Sequence, residues 1–506
     1  MLRPSDTHEE YQSFLKESLR EHLIDTGQIS TLYTQSELIA KMWFTDLTAV
    51  AALVAPCYSS SSRGAPPRDP VCLFRSLLVM PLAGYRSIDK WVAALKSFPL
   101  FAILSGFAPD DTPGVGTFYD FINRLWQTDN KATAKIRKPG RRRRRKGKKN
   151  EKAPLARPGI VGRLVNRILR QKGQPLPARP EDILNNIFQQ VFVEASGQKG
   201  LLGDTKELVV AGDGTPVRTG ASPYGKKICD CKKKGIFNCQ CPRRYSDPEA
   251  AWGWDSYREC YFYGRHLYEI TATSSPHDLP IYLKLVSAKR HDSVSFVVTL
   301  DETMRRLKDH TIVTCLLDSA HDAYPIYDLL DAWNIEAIID LNKRATGNAK
   351  YQGPLTLTKD GIPICPAGHV MAYHGFCRDR QRHKWRCPLT RKTWKVVCDS
   401  PCSPSSYGRV IYTYEKDNLR LFTRTPRGSK AWRKKYKGRT AVERSFKRKK
   451  VDYSLEAARA RSTKMWFFCC ITLAMCQHVD AWAAYEEMDF GAVIRGWIGE
   501  SEVTAA

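Results

Sequence analysis

The chain has 506 residues, 42% of them hydrophobic, with 12 Trp, 22 Tyr and 19 Phe, which is material for two to four packed domains and too much for one small core. Lys and Arg outnumber Asp and Glu by 80 to 52, a formal charge of +28; because neutralised phosphates release counterions, this points to nucleic acid as the partner and away from a small-molecule substrate. No charged n-region with an apolar h-region opens the chain, and the longest apolar run, Met465–Cys476, falls short of a bilayer of ~30 Å, so an intracellular protein without a membrane span is expected.

Residues 1–130 read as helical. Ser36–Val54, Ser87–Leu95 and Thr117–Trp126 have helical apolar spacing, with Ser and Thr available as caps. No clear helix-turn-helix spacing is visible. Between Lys135 and Lys149 eleven of fifteen residues are Lys or Arg and none is acidic, so 131–155 reads as a linker or arm that repels itself, a solvated tether that also binds phosphates without sequence preference. From about Glu207 the texture alternates. Leu208–Ala211 is an apolar run ending in Gly212-Asp213-Gly214-Thr215, and Tyr261–Tyr263, His266–Thr273 and Ile281–Val286 are strand-like. Asp292 and Ser293 can cap a helix running to about Leu307. A strand over Ile312–Leu317, a helix over Tyr324–Trp333 and a strand over Ile335–Ile339 follow. This order predicts a mixed sheet with helices on its faces, spanning 156–342. Residues 343–420, rich in Cys, Gly and Pro with a strand piece at Val410–Tyr414, read as an inserted β module. The chain returns at 421–485 with a long basic helix and a buried helix over Met465–Ala483, and 486–506 is a tail.

Sixteen cysteines in a reducing compartment read as thiols or metal ligands rather than disulfides. Cys229, Cys231, Cys239 and Cys241 form C-x-C-x7-C-x-C among Lys226, Lys227 and Lys232–Lys234, which suits tetrahedral Zn²⁺ or, with such tight C-x-C pairs, an iron–sulfur cluster. Cys365, Cys387, Cys398 and Cys402 are a second candidate zinc set inside the insertion, with His369, Cys377 and His383 as substitutes; unligated thiols are the plain alternative for both sets. Cys57, Cys72, Cys260, Cys315, Cys469, Cys470 and Cys476 read as small core residues.

Within Lys435–Lys450, Tyr436, Arg439, Glu443 and Lys450 stand in the pattern Y-x2-R-x3-E-x6-K, which places them on one helical face of about 60°, although Gly438 weakens the start of the helix. A lone carboxylate among cations can hold a metal ion while its neighbours hold phosphates. Asp213 and Asp318 each come just beyond an apolar strand run, where an open sheet exposes functional side chains. If their strands are neighbours, a helix packed across the sheet can bring Glu443 to both, and three converging carboxylates then imply bound metal, with hard oxygens favouring two Mg²⁺ or Mn²⁺ ions.

D-G-T at Asp213, L-D-S-A-H-D-A-Y at Asp318 and G-R-T-A-V-E-R at Gly438–Arg444, in that order, resemble the three motif regions of the insertion-sequence DDE transposases of the cut-and-paste type with the Y-R-E-K signature. The resemblance covers roughly Val71–Ala483. It implies an α/β fold: a ribonuclease-H-like mixed sheet with flanking helices, interrupted by a β-rich cysteine-containing insertion and preceded by an all-helical N-terminal domain. Carried over by position, Asp213, Asp318 and Glu443 would bind two metal ions, while Tyr436, Arg439 and Lys450, with Arg444 and Lys447 on the same basic helix, would hold the DNA backbone. Asp322 would be an outer ligand or, preferably, a helix cap, and His291 a proton donor or, preferably, structural. Trp394 and Trp432 would stack on a flipped base or, more simply, pack. The implied function is cutting of double-stranded DNA at terminal inverted repeats and joining of the 3′ ends to target DNA, by a homodimer on DNA in the cytoplasm at the nucleoid, with zinc as a structural metal. The rivals are a catalytically silent, domesticated transposase acting as a DNA-binding zinc protein, and a plain nuclease of the same fold.

Overall fold

Leu208–Arg218 (β1) is the strand about which the sheet of the chain's second half is arranged. In the computed structural model, which describes residues 2–61, 65–127, 136–137, 159–171, 174–342, 353–390, 398–486 and 489–498, it is joined by Ala251–Asp255 (β2), Cys260–Ala272 (β3), Pro280–Ser287 (β4), Ile312–Leu317 (β5) and Glu336–Ile339 (β6). The order is β2-β3-β1-β5-β6, with β4 also on β3; β1 runs antiparallel to β3 and parallel to β5, and β5 parallel to β6. Val and Ile supply β-branched side chains, Tyr aromatic ones and Leu further apolar bulk, as a sheet buried on both faces requires. The two predicted pieces Tyr261–Tyr263 and His266–Thr273 are one continuous strand.

Helix α1 (Asp292–Arg306) packs on the face that carries Tyr268, whose ring lies 6.3 Å from that of Phe296. Helix α2 (Tyr324–Ala332) connects β5 to β6. The opposite face, which carries Glu269, is covered by α3 (Thr440–Lys447) and α4 (Thr463–Tyr485). The expected mixed ribonuclease-H-like sheet with helices on both faces is therefore the fold observed, preceded by a helical region.

Among the described residues that region holds His8–Leu19, started by a Thr7–Glu10 capping box, and seven further α-helices between Ile29 and Leu125. The predicted Ser36–Val54 helix is two, Ser36–Trp43 and Thr48–Val54, bent by 61°. At the break Thr45 Oγ1 bonds back to Lys41 O at 2.6 Å and Asp46 accepts from the Thr48 N–H, so local side-chain bonds outcompete the helix ladder. One connected set of buried residues, from Tyr11 to Ile494, runs through these helices and the sheet.

The Met465–Cys476 run is only the middle of a longer helix. Capped by Ser462, α4 extends over 23 residues, long and apolar enough to cross a membrane, but 78% of its apolar window is buried inside the protein. The basic tract falls largely on residues outside those described, as does Trp394; only Ile136–Arg137 is placed, paired with Arg243–Arg244.

The insertion contains an antiparallel sheet of Ala372–Cys377, Arg382–Arg386 and Val410–Thr413, with a core of Cys365, Met371 and Trp385. Both of its ends meet at Asp322. That carboxylate accepts from Asn342 N at 2.8 Å and from Arg420 Nε and Nη2 at 2.8 and 2.6 Å, and is fully buried. Asp322 is thus not a helix cap; the α2 N-cap is Ala323.

Candidate active site

Gly212 pairs with Leu317 across the parallel β1–β5 ladder, so the residues that follow, Asp213 and Asp318, come side by side. Asp318 directly follows the last residue of β5, as expected. Asp213 does not lie beyond its strand: β1 continues through it to Arg218, because β3 pairs with the whole segment and Asp213 sits opposite Glu269.

Alternation along β1 turns Gly212 and Gly214 to the other face, and both are small for a steric reason. A Cβ on Gly212 would lie 2.8 Å from the Tyr268 hydroxyl, and one on Gly214 would lie 2.3 Å from both Asp292 Oδ1 and His266 Nε2. These polar groups form a layer under the carboxylates. Asp318 Oδ1 accepts from His321 Nδ1 at 2.6 Å, His321 Nε2 is hydrogen-bonded to the Tyr268 hydroxyl at 2.8 Å, and His266 Nε2 is 3.2 Å from Asp292 Oδ1. None of these four was singled out as a site residue from the sequence, although the spacing of three between Asp318 and His321 was a usable signal.

Burial, then the charges of Asp318 and Asp292, push Asp213 up to about 7. Asp318 moves the opposite way: burial would raise it, but the hydrogen bond and charge of His321 hold it below the ordinary carboxylate range. His321 is raised in turn, since Asp318 outweighs its burial. Neighbouring carboxylates driven apart in this way share a cation readily.

Glu443 reaches the pair through Arg439. The guanidinium is 3.7 Å from Asp213 Oδ2 and 2.5 Å from Glu443 Oε1, and the three carboxylates do not close to within 4.8 Å of one another. Gly438 permits the approach, since a Cβ there would lie 2.8 Å from Leu316 Cδ1 on β5. The donor set fits hard divalent cations: a largely buried, hard-oxygen Asp213 next to Asp318, with a half-exposed Glu443 on a rotatable arm.

The helix of Glu443 is not one regular helix. Lys430–Tyr436 is α-helical, Lys437–Arg439 a 3₁₀ turn, Thr440–Lys447 α-helical and Arg448–Asp452 a π turn, so the four signature residues leave the ideal 100° spacing. Tyr436 stacks on buried Trp432 at 4.6 Å, which makes Trp432 a packing residue. Arg444 forms a two-point ion pair with Asp278 at 2.6 and 2.8 Å, Lys447 pairs with Asp452 at 3.4 Å, and Lys450 turns inward to Glu456 at 3.8 Å. Lys449, within the same basic run, is buried: its Nζ lies 2.7 Å from Glu269 Oε2 and donates to Ser445 and Gln477. His291, not Asp292 or Ser293, caps α1 by accepting from Ser293 N.

The thiols of Cys229, Cys231, Cys239 and Cys241 lie within 4.8 Å of one another, with 3.6 Å between Cys229 and Cys239 and between Cys231 and Cys241. The Cys231 backbone N–H and the Cys239 thiol hold Cys229 down at about 7, while bonds from Cys241 and Cys229 push Cys231 up to about 12. Four soft donors sharing protons suit a tetrahedral thiolate metal. Among the described residues the second set, Cys365, Cys387, Cys398 and Cys402, does not gather three donors within that distance: Cys365 packs in the insertion core beside Cys402 and accepts from His369 N, and Cys387 N is tied to Arg409 O.

Two family models match the chain: Transposase DDE domain over residues 204–476, which contain all three carboxylates, and Transposase domain (DUF772) over residues 34–124. No curated protein matches it.

Proposed function

The chain belongs to the transposase DDE-domain family, and from that premise we propose that it cuts double-stranded DNA at the terminal inverted repeats of an insertion sequence and joins the freed 3′ ends to target DNA. The observation that carries this reading is the Asp213–Asp318 pair on adjoining parallel strands, with Arg439 and Glu443 brought against it.

Asp213, Asp318 and Glu443 would hold two Mg²⁺ or Mn²⁺ ions, which when bound activate a water or a 3′-hydroxyl and stabilise the leaving oxygen. His321, backed by Tyr268, keeps Asp318 ionised and fixes its orientation. Arg439 neutralises Asp213 and Glu443 and is long enough to turn to a DNA phosphate, beside Tyr436. Lys447, Arg444 and Lys450 extend this cationic edge, each starting from a protein partner. Cys229, Cys231, Cys239 and Cys241 take a structural zinc ion that presents the basic knuckle to DNA. The helical region up to residue 130 helps recognise the ends, and two chains hold two ends together in the cytoplasm.

The test is cleavage of end-containing duplex with Mg²⁺. Wild type should nick it, Glu443→Gln should be at least about 10²-fold slower, and pre-cut ends should be joined to target DNA. Cutting without joining would leave a nuclease; equal rates for wild type and variant would remove Glu443 from the chemistry.

A further inference from the structure

An open cleft of about 930 Å³ lies where three parts of the chain meet: the helical region, the base of the cysteine knuckle and the segment after the catalytic helix. Its rim carries Arg86, Lys226, Arg244, Arg459 and Arg461 against one acid, Asp89, and its floor includes Met80, Met465 and Phe468. Lys226, Arg244, Arg459 and Arg461 are exposed, and among the described residues no carboxylate pairs with them. Arg86 is held in place by donating to the carbonyls of Pro81, Tyr85 and Tyr453.

The polypeptide leads from the carboxylates into this cleft along two routes. Strand β1 carries Asp213 and runs out through Arg218 to the segment lining the cleft at Ser222 and Gly225. The helix of Glu443 ends in the π turn Arg448–Asp452, where Lys450 pairs with Glu456, and the chain then lines the cleft from Ala458 to Ser462. At the knuckle base Arg243–Arg244 is the middle strand between Lys226–Lys227 and Ile136–Arg137. Ile136–Arg137, the described residues of the basic tract, therefore pair directly beside the cleft residue Arg244.

We propose that this cleft seats the backbone of duplex DNA running on from the scissile phosphate, with phosphates on the cationic rim and sugar faces on the apolar floor. The inference rests on the transposase reading and assigns its DNA a path across the helical region and the knuckle. Charge complementarity selects the occupant, since an acidic protein surface would leave the apolar floor without a matching ladder of charges.

The experiment measures binding of the full-length protein to end-containing duplex by fluorescence anisotropy across a salt series. For Arg244→Gln/Arg459→Gln/Arg461→Gln the slope of log K on log[salt] should fall by about 2.7, about 0.9 per cation, with affinity down at least about tenfold. Asp89→Lys, which removes no native contact of the rim cations, should steepen the slope by about 0.9 and keeps the test alive if the triple variant misfolds. Benzoylphenylalanine in place of Tyr119, another cleft residue, should photo-crosslink to the duplex. Unchanged slopes for the folded triple variant and for Asp89→Lys overturn the cleft, as does loss of self-association with DNA binding intact. If wild type neither binds nor cuts the duplex, the transposase reading falls and the cleft with it; if wild type cuts normally and the slopes do not move, only the cleft falls.

Discussion

Asp213 and Asp318 are neighbours across a parallel ladder, yet one is driven up to about 7 and the other below the ordinary range. The difference comes from what stands behind each: His321 supports Asp318, whereas Asp213 is largely buried and faces the charges of Asp318 and Asp292.

The sign for stability follows. A carboxyl raised above its unfolded value of ~3.9 contributes stability that is complete below that value and is lost as pH rises through about 7. Asp213→Asn should therefore be more stable than wild type by about 1–3 kcal/mol at pH 7.5 in chelator, and no more stable below pH ~4. Calorimetric unfolding at the two pH values checks this; a gain that does not depend on pH would refute it.

His321→Ala removes the group that orients Asp318 without touching a DNA-facing cation. Cleavage should fall by about 10–100-fold and Mn²⁺ affinity by a similar factor, while anisotropy with end-containing duplex stays near wild type. Tyr268→Phe should show a smaller loss of the same kind.

Lys449 and Glu269 pair in the core where the segment that carries Glu443 meets β3. Lys449→Met leaves Glu269 buried and unpaired and should cost about 3–5 kcal/mol, whereas Lys449→Met/Glu269→Gln should recover much of that loss. Denaturant unfolding of the two variants decides, and equal losses would show that no pairing is at stake.

The knuckle should bring one zinc ion per chain through purification, measured by elemental analysis. Cys229→Ser or Cys239→Ser should lose it, while Cys398→Ser, in the set whose donors do not gather, should keep it.

The mixed sheet was legible in the sequence because Val-, Ile- and Leu-rich runs mark buried strands, whereas the strand Ala251–Asp255, with Trp and Gly in place of such a run, was not. The sequence did not expose Lys449 as a core residue, since a basic run looks alike whether one of its members turns inward or not, and only Glu269, far away in the chain, makes that inward turn possible. The continuation of β1 through Asp213 was hidden for a similar reason: Asp-Gly is a turn signal unless a long partner strand claims it. The layer of Tyr268, His266 and Asp292 rests on residues brought together only by the sheet, so it left no local pattern beyond the two glycines that make room for it.

Because Asn342 and Arg420 grip the same Asp322 carboxylate, the excursion between them begins and ends at one point on the scaffold. Whatever is spliced between those two residues adds no constraint to the path of the sheet, so related chains are free to lengthen, shrink or exchange this appendage while the reaction centre stays in register.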